Sequence, residues 1–334
     1  MIAAMLRPLA VFQLRAYYDR APSTMSAASH DAQRLATLGV AMTVVATLIF
    51  LLVVGIIGFG LWRRRNSPDA LDSPADVRTP VDVSENWWIL GGGLAMPVVV
   101  LAGVFLMTLS TMRAYRPAPA GAPEILVIGH QWWWEVRYPN DTVITANELH
   151  LPVGRAVHLE LRSADVIHSF WAPNLEGKTD VIPGQQNEMV LRADSAGVYR
   201  AECAEYCGRQ HANMALSIVA EAPADYQRWL SSTKAVAAAP ANDTARAGLA
   251  VFMSHSCAFC HSIRGTPATG SFGPDLTHLG SRSTLAGGAL PNTVGYLAGW
   301  ISNPDRLKPG TKMPASPMDG ASLQAVVRYL EGLK

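Results

Sequence analysis

AECAEYCGRQHANMAL, residues 201–216, gathers Cys203, Cys207, His211 and Met214 into a C-x3-C-x3-H-x2-M cluster. Two thiolates, an imidazole and a thioether are soft or borderline donors, which copper prefers and which the oxygen shells of calcium and magnesium do not use. A mononuclear blue-copper site takes one cysteine, two histidines and a weak methionine. The second cysteine therefore predicts a second metal, bridged by both sulfurs. This stretch alone leads us to expect a dinuclear copper centre that carries electrons.

Upstream of the cluster the chain reads as short strands separated by turn residues. EILVIGHQWWWEVRY (124–138), AVHLELR (156–162), NEMVLRA (187–193) and GVYRAEC (197–203) fall at sandwich-like spacing, punctuated by Pro152, Gly154, Pro183, Gly184 and Gly197. Residues 116–222 match the ~100 residues of a small β-sandwich, which would hold the metal ligands on loops at one end. A further donor must come from elsewhere, and SADVIHSFWAP (163–173) offers His168 between an alternating strand and a proline-bearing turn.

Farther out, Leu35–Trp62 is an uncharged apolar run, longer than the ~20 residues that a membrane-crossing helix needs. Trp87–Met112 is also uncharged. Its Gly91, Gly92, Gly93 and Pro97 weaken a helix in water but are tolerated in lipid. Trp62, Trp87 and Trp88 stand where an interfacial aromatic belt forms, on one side of the bilayer. Arg63, Arg64 and Arg65 place the connecting loop on the cytoplasmic side, against a weaker signal from Arg113 and Arg116. The predicted hairpin, 35–115, then puts everything after it outside a bacterial-type inner membrane, in an oxidising, periplasm-like compartment. In residues 1–34, Arg7, Pro8 and Arg15 interrupt apolar patches, a pattern open to both a signal peptide and a retained extension.

Composition agrees with this organisation. The 334 residues exceed one domain of ~150, and 49% apolar against 16% charged is shifted toward membrane proteins. A net charge of +1, with no basic cluster beyond Arg63–Arg65, argues against a nucleic-acid partner. The four cysteines form two close pairs, each inside a cofactor motif, which leaves none for structural disulfides. His30, His150, His158, His255 and His278 read as surface or core histidines, and Trp133 and Trp134 as packing residues.

SSTKAVAAAPAN (231–242) reads as a linker, assigned to 223–243. Beyond it, SCAFCH (256–261) carries C-x-x-C-H, in which both thiols add to haem vinyl groups and His261 reaches the iron. The bare motif also serves redox dithiols and zinc sites, and its place beside a copper cluster favours haem. SLQAVVRYLEGL (322–333) sets Leu323, Val326, Val327 and Leu330 on one helical face.

Three motifs, GHQWWWEV (129–136), DVIHSFWAPNLEGKTDVIPG (165–184) and CAEYCGRQHANM (203–214), stand in order behind the two apolar runs. Over about 35–220 the chain thus resembles subunit II of haem-copper cytochrome c oxidases. The resemblance implies a two-helix transmembrane hairpin followed by an all-β cupredoxin-like sandwich holding the dinuclear copper A centre. Cys203 and Cys207 would bridge the metals, with His168 and Met214 completing one copper and His211 and the Glu205 carbonyl the other. It further implies Trp132 as the electron-admitting aromatic, the Glu205 carboxylate as a ligand to magnesium shared with subunit I, and Glu85 at the entrance of a proton channel. Quinol-oxidising relatives lack the copper ligands, so the likeness is to the branch that uses cytochrome c. Gln185 stands where the family commonly has arginine, so a role carried by that arginine is not transferred.

FGPDLTHLGSR (272–282) and LKPGTKMPA (307–315) resemble class I cytochrome c, implying an all-α fold over 244–334. Cys257, Cys260, His261 and Met313 would hold a covalently bound haem c, with Met318 as the alternative axial ligand and Gly273 and Pro274 beside the haem. The expected function is transfer of electrons from haem c to copper A and on to the subunit I haem, where oxygen is reduced to water with proton translocation. Expected partners are subunits I and III, a cytochrome c or membrane cytochrome complex as donor, and membrane lipid. The chain alone is not expected to reduce oxygen. The competing reading is a membrane-anchored electron-transfer protein that serves another reductase.

Overall fold

A computed structural model of the chain describes residues 22–66, 87, 89–113 and 117–334. They divide into two units, one covering 33–116 and the other joining the residues before 33 to 117–334. Helix α1, His30–Arg65, has 36 residues, about 54 Å at 1.5 Å per residue, against a hydrocarbon core of ~30 Å. It starts before the apolar run because the Ser29 hydroxyl accepts the Ala32 N–H at 2.9 Å, an N-terminal cap. Asp31 in the first turn and Arg63–Arg65 in the last suit the helix dipole. Thr37, Thr43 and Thr47 turn their hydroxyls back onto carbonyls four residues earlier, which hides polar groups on an apolar surface.

The second apolar run opens as a π-helical segment, Ile89–Ala95, where the three glycines fall. It continues as helix α2, Met96–Arg113, with Pro97 near the start, where its missing N–H costs least. Both runs are long and apolar enough to cross a membrane. Glu85 and Trp88 lie outside the described residues, as do residues 1–21.

The sandwich is built from strands β1 Glu124–His130, β2 Trp133–Tyr138, β3 Val143–Ala146, β4 Glu148–Pro152, β5 Val157–Ser163, β6 His168–Trp171, β7 Lys178–Val181, β8 Asn187–Leu191, β9 Gly197–Cys203 and β10 Ala215–Glu221. They form two five-stranded sheets, ordered β3-β2-β1-β5-β8 and β4-β10-β9-β6-β7. Alternate residues point inward, so β1 buries Ile125 and Val127, and β5 buries Val157, Leu159 and Leu161. Each such aliphatic side chain contributes about 1.5–3 kcal/mol. Between β3 and β4 the chain changes sheet at Asn147, whose φ of 58° is one that asparagine tolerates. Its side-chain oxygen accepts the Trp134 N–H at 2.8 Å, and its own N–H donates to the Trp134 carbonyl at 2.8 Å.

The segment expected as a linker, 223–243, is not loose. It begins as helix α3, Pro223–Thr233, which buries Tyr226 and Leu230 against the sandwich core. Arg264 then donates to the carbonyls of Thr233 (2.5 Å) and Lys234 (3.2 Å), and Ala237 N–H donates to the Arg264 carbonyl (2.9 Å). On the segment's side these bonds use only backbone groups, which composition does not reveal.

The C-terminal part holds helices α4 Asp243–Ser254, α5 Cys257–Cys260, α6 Val294–Ser302, α7 Pro304–Leu307 and α8 Gly320–Glu331. Asn242 caps α4 and Asp319 caps α8 through side-chain oxygens. Val326, Val327 and Leu330 are buried as the helical face requires, with Leu323 at its edge. One feature departs from an all-α reading, a small hairpin of β11 Thr284–Leu285 and β12 Leu290–Pro291. Its turn places Ala286, Gly287 and Gly288 at positive φ, and a side chain on Gly287 would meet the Trp132 carbonyl at 2.6 Å. The turn lies flat against the sandwich, which requires those glycines.

Candidate metal centre and cofactor pocket

Strand pairing and a tight loop bring the sulfur ligands together. Cys203 ends β9, and its neighbour β6 begins at His168. Two of the candidate ligands thus sit on strand ends rather than on loops as expected. Cys207 follows on a loop that turns at Gly208, φ 115°, where a side chain would strike the Trp132 indole at 3.1 Å. His211 opens a short 3-10 turn, and Met214 follows it, 1% exposed.

The Cys203 and Cys207 sulfurs are 3.7 Å apart, far beyond the ~2.05 Å of a disulfide. Cys203 Sγ lies 3.8 Å from His168 Nδ1 and 3.2 Å from the Glu205 carbonyl oxygen. Cys207 Sγ lies 3.7 Å from His211 Nδ1 and 3.9 Å from Met214 Sδ. Donors bound tetrahedrally to one metal at ~2.0–2.3 Å sit about 3.3–3.8 Å apart, so the donor set fits metal held between neighbouring pairs.

Asp165 prepares His168. Its carboxylate accepts from His168 Nε2 at 2.9 Å, which leaves Nδ1 toward Cys203 and raises the basicity of the ring. Burial opposes ionisation of Asp165, but the bonds from His168 and from the N–H groups of Gln131 and Val166 outweigh it and hold the carboxyl well below its usual range. Burial likewise opposes a charge on His168, and Asp165 and Cys203 together still raise it. Hydrogen bonding between the two sulfurs holds the Cys203 thiol well below the usual thiol range and pushes the Cys207 thiol up.

The loop is braced from β1 and β2. Gln131 Nε2 and Trp132 Nε1 both donate to the Cys207 carbonyl, at 2.7 and 3.0 Å. Gly129 leaves room for His168, since a Cβ there would meet the ring at 2.8 Å. Trp134 is a core residue, tilted against His168 and edge-on to Phe170. Trp133 stacks on His130 with ring centroids 4.2 Å apart. The Glu205 side chain is exposed, as is Gln185.

The second site is a cavity of about 680 Å³ lined by Cys257, Cys260, His261 and Met313, within the size range of ligand pockets. The two thiols are free. His261 Nδ1 donates to the Pro274 carbonyl at 2.8 Å, which leaves Nε2 for a ligand role. Burial lowers the His261 pKa, keeping the ring neutral and its lone pair free. Gly273 lies against the same ring, where a Cβ would come within 2.6 Å. Met318 instead packs on the hydrophobic core. The chemistry and size of this cavity fit a haem.

Sequence reasoning did not single out Asp165 or Lys308. Asp165 stands three residues before His168 in a quoted motif, so its signal was present. Lys308 carries none, because its ammonium donates only to backbone carbonyls, those of Trp132 (2.9 Å), Asn213 (2.9 Å) and Ala286 (2.7 Å). Burial pulls its pKa down, and the three carbonyl acceptors, which only the form with three protons satisfies together, oppose that.

Comparison with known proteins follows these sites. Residues 142–222 match the family described as "Cytochrome C oxidase subunit II, periplasmic domain", and residues 245–334 match "Cytochrome c". Cytochrome c oxidase subunit 2 of Alkalihalophilus pseudofirmus is 33% identical over 298 residues, covering 87% of this chain and 84% of that protein. The Bacillus subtilis protein of the same name is 29% identical over 262 residues, covering 74% of this chain and 73% of its own. A solved periplasmic domain of oxidase subunit II from Bradyrhizobium japonicum is 28% identical, with a TM-score of 0.34, and spans 35% of this chain and 97% of its own.

Proposed function

The chain belongs to the cytochrome c oxidase subunit II family and carries a cytochrome c domain at its C-terminal end, and on that premise we propose that it relays electrons from a covalently bound haem c to a dinuclear copper A centre and on to the oxygen-reducing subunit. Cys257, Cys260, His261 and Met313 would hold the haem. His168, Cys203, the Glu205 carbonyl, Cys207, His211 and Met214 would hold the copper. When bound, the paired coppers would supply one-electron chemistry, with the Cys203 and Cys207 thiolates the groups that would share the charge.

The residues of the chain keep both sites oriented and adjacent. Asp165 fixes the His168 tautomer, and Pro274 fixes that of His261. One observation carries the reading. Trp132 lines the cavity that contains His261 and Met313, and its indole donates to the carbonyl of Cys207. A single side chain thus joins the two sites, consistent with the electron-admitting role expected of it. The Glu205 carboxylate, being exposed, is available to a shared magnesium ion at a subunit boundary.

Arg63–Arg65 support a cytoplasmic loop after α1, with both redox domains on the periplasmic side of a bacterial-type inner membrane and the helices crossing it twice. Subunits I and III are the partners proposed for that hairpin, and a cytochrome c or membrane cytochrome complex is the donor. The test is an optical and paramagnetic-resonance spectrum of the full-length protein purified from its membrane in mild detergent. The expected result is a low-spin haem c beside the hyperfine pattern of one electron shared by two coppers, co-purifying with a haem-rich large subunit. A mononuclear copper signal would overturn the copper assignment. Isolation without any large subunit would favour a freestanding electron carrier.

A further inference from the structure

Lys308 sits where the chain leaves α7, five residues before Met313, and is 3% exposed. An ammonium has three protons and no acceptor, and here all three are used. One acceptor, the Ala286 carbonyl, lies in the β11–β12 turn of the haem domain, and the other two lie in the copper domain. Trp132 is the residue whose indole holds the Cys207 carbonyl, and Asn213 is one of the two residues between the candidate ligands His211 and Met214.

Around this point the two domains meet through polar contacts of their own. Gln210 Nε2 donates to the Pro309 carbonyl at 2.6 Å, and the Ala215 N–H donates to the Gly287 carbonyl at 2.8 Å. Gly310 lies over the Arg209 side chain, leaving no room for a Cβ. Lys308 differs from these in position. It alone among these contacts ties the approach to the Met313 loop to both Trp132 and the Cys207–Met214 loop at one atom.

We propose that Lys308 is the positioning residue of the electron path, its ammonium holding the haem domain and the copper-ligand loop in a single register. The inference rests on the haem and copper assignments proposed above. In the step it serves, one electron leaves the haem, whose iron is oxidised by one unit, and reduces the copper pair by one unit. No atom is transferred, and Lys308 keeps its three protons. Because transfer over a distance falls steeply with separation, loosening the register slows the step without altering either site. A methionine at this position would preserve length and apolar volume but leave three buried carbonyls without their donor.

The experiment uses the full chain in its assembled oxidase, comparing wild type with Lys308→Met and with Lys308→Gln, which retains two N–H donors. A photoactivated ruthenium complex injects an electron into the haem, and reoxidation of the haem by copper is followed optically. Amide hydrogen exchange is measured over residues 204–215 and 284–290. The expected result for Lys308→Met is unchanged injection, unchanged haem and copper spectra, and internal transfer slower by about tenfold, the effect of losing one buried charged contact from the docked state. Exchange in both segments rises, and Lys308→Gln falls between the two. If Lys308→Met does not accumulate, Lys308→Gln carries the same test with a smaller expected slowing. Wild-type transfer and wild-type exchange in whichever variant is obtained overturn the proposal. Slowed transfer with altered copper or haem spectra also overturns it, because the ligands themselves would then be disturbed. Absence of the two spectra from wild type would instead sink the underlying assignments, and exchange would still report whether Lys308 sets the register.

Discussion

Asp165 shows how one carboxylate sets the state of a neighbouring histidine, here the proposed copper ligand His168. It accepts from His168 Nε2 and from two backbone N–H groups, so the imidazole enters the site with one orientation and one tautomer. Removing such a partner lowers metal affinity by roughly 10–100-fold. Asp165→Ala is therefore expected to weaken copper binding by that order in a chelator competition, and Asp165→Asn by less, since its amide oxygen still accepts from His168. Equal affinity in all three proteins would mean that the strand alone orients the ring. The same scale decides between the two methionines. Met313 lines the cavity while Met318 packs on the core, so Met313→Ala is expected to abolish the methionine-to-iron absorption band, and Met318→Ala to retain it. The reverse pattern would transfer the ligand role to Met318. Candidate ligands stand out in sequence because soft-metal chemistry demands particular residue types. Lys308 does not, because its three acceptors are carbonyls that any residue supplies.

Among the elements, the crossing of α4 and α8 depends on one missing side chain. A Cβ on Gly248 would sit 2.1 Å from the Ala325 carbonyl oxygen and 2.7 Å from Tyr329 Cβ, so the two backbones approach as closely as they do only because of that glycine. Overpacking of this kind costs about 1–3 kcal/mol. Gly248→Ala is expected to lower the melting temperature of the haem domain, followed by its Soret band, by at least about 4 °C. An unchanged melting curve would show that the helices separate without cost at this point. Hydrophobic periodicity reveals the α8 face but not the glycine, since a packing gap has no period. The same limit applies at the ends of α1. Apolar composition marks 35–62, whereas the helix runs from His30 because Ser29 caps it, and continues to Arg65 because cations suit its C-terminal end. Likewise, the alanine-rich stretch after α3 reads as loose, though Arg264 holds the carbonyls at the end of α3 and accepts the Ala237 N–H.

At the level of the whole molecule, the copper and haem domains are also joined at a second seam away from the metal. Glu148 of β4 accepts from both the N–H and the hydroxyl of Ser283. Beside it His150 lies between Glu148 and Glu221, with Nδ1 3.2 Å from Glu221, and stacks on Trp229 of α3. The Tyr138 hydroxyl bonds the His150 backbone, and buried Arg282 faces Glu148 from the haem domain. Burial opposes charge on His150, yet the two carboxylates raise its pKa above 6.5. Burial opposes charge on Glu148 too, and His150 and Ser283 lower its pKa below 4.5. The raised histidine contributes stability that is complete below about 6.5 and lost as pH rises through its folded value. The lowered glutamate contributes stability present above about 4.5 and lost as pH falls through its own. The seam is therefore strongest between these limits, and each unit by which His150 is raised is worth about 1.4 kcal/mol. Calorimetry of the full-length protein from about pH 6 to about pH 9 should show the melting temperature falling, as buried Glu148 and half-buried Glu221 lose the imidazolium between them. His150→Gln, which carries no titrating charge, should melt lower at the acid end and show a flatter slope. An equally steep slope in that variant would place the pH dependence elsewhere.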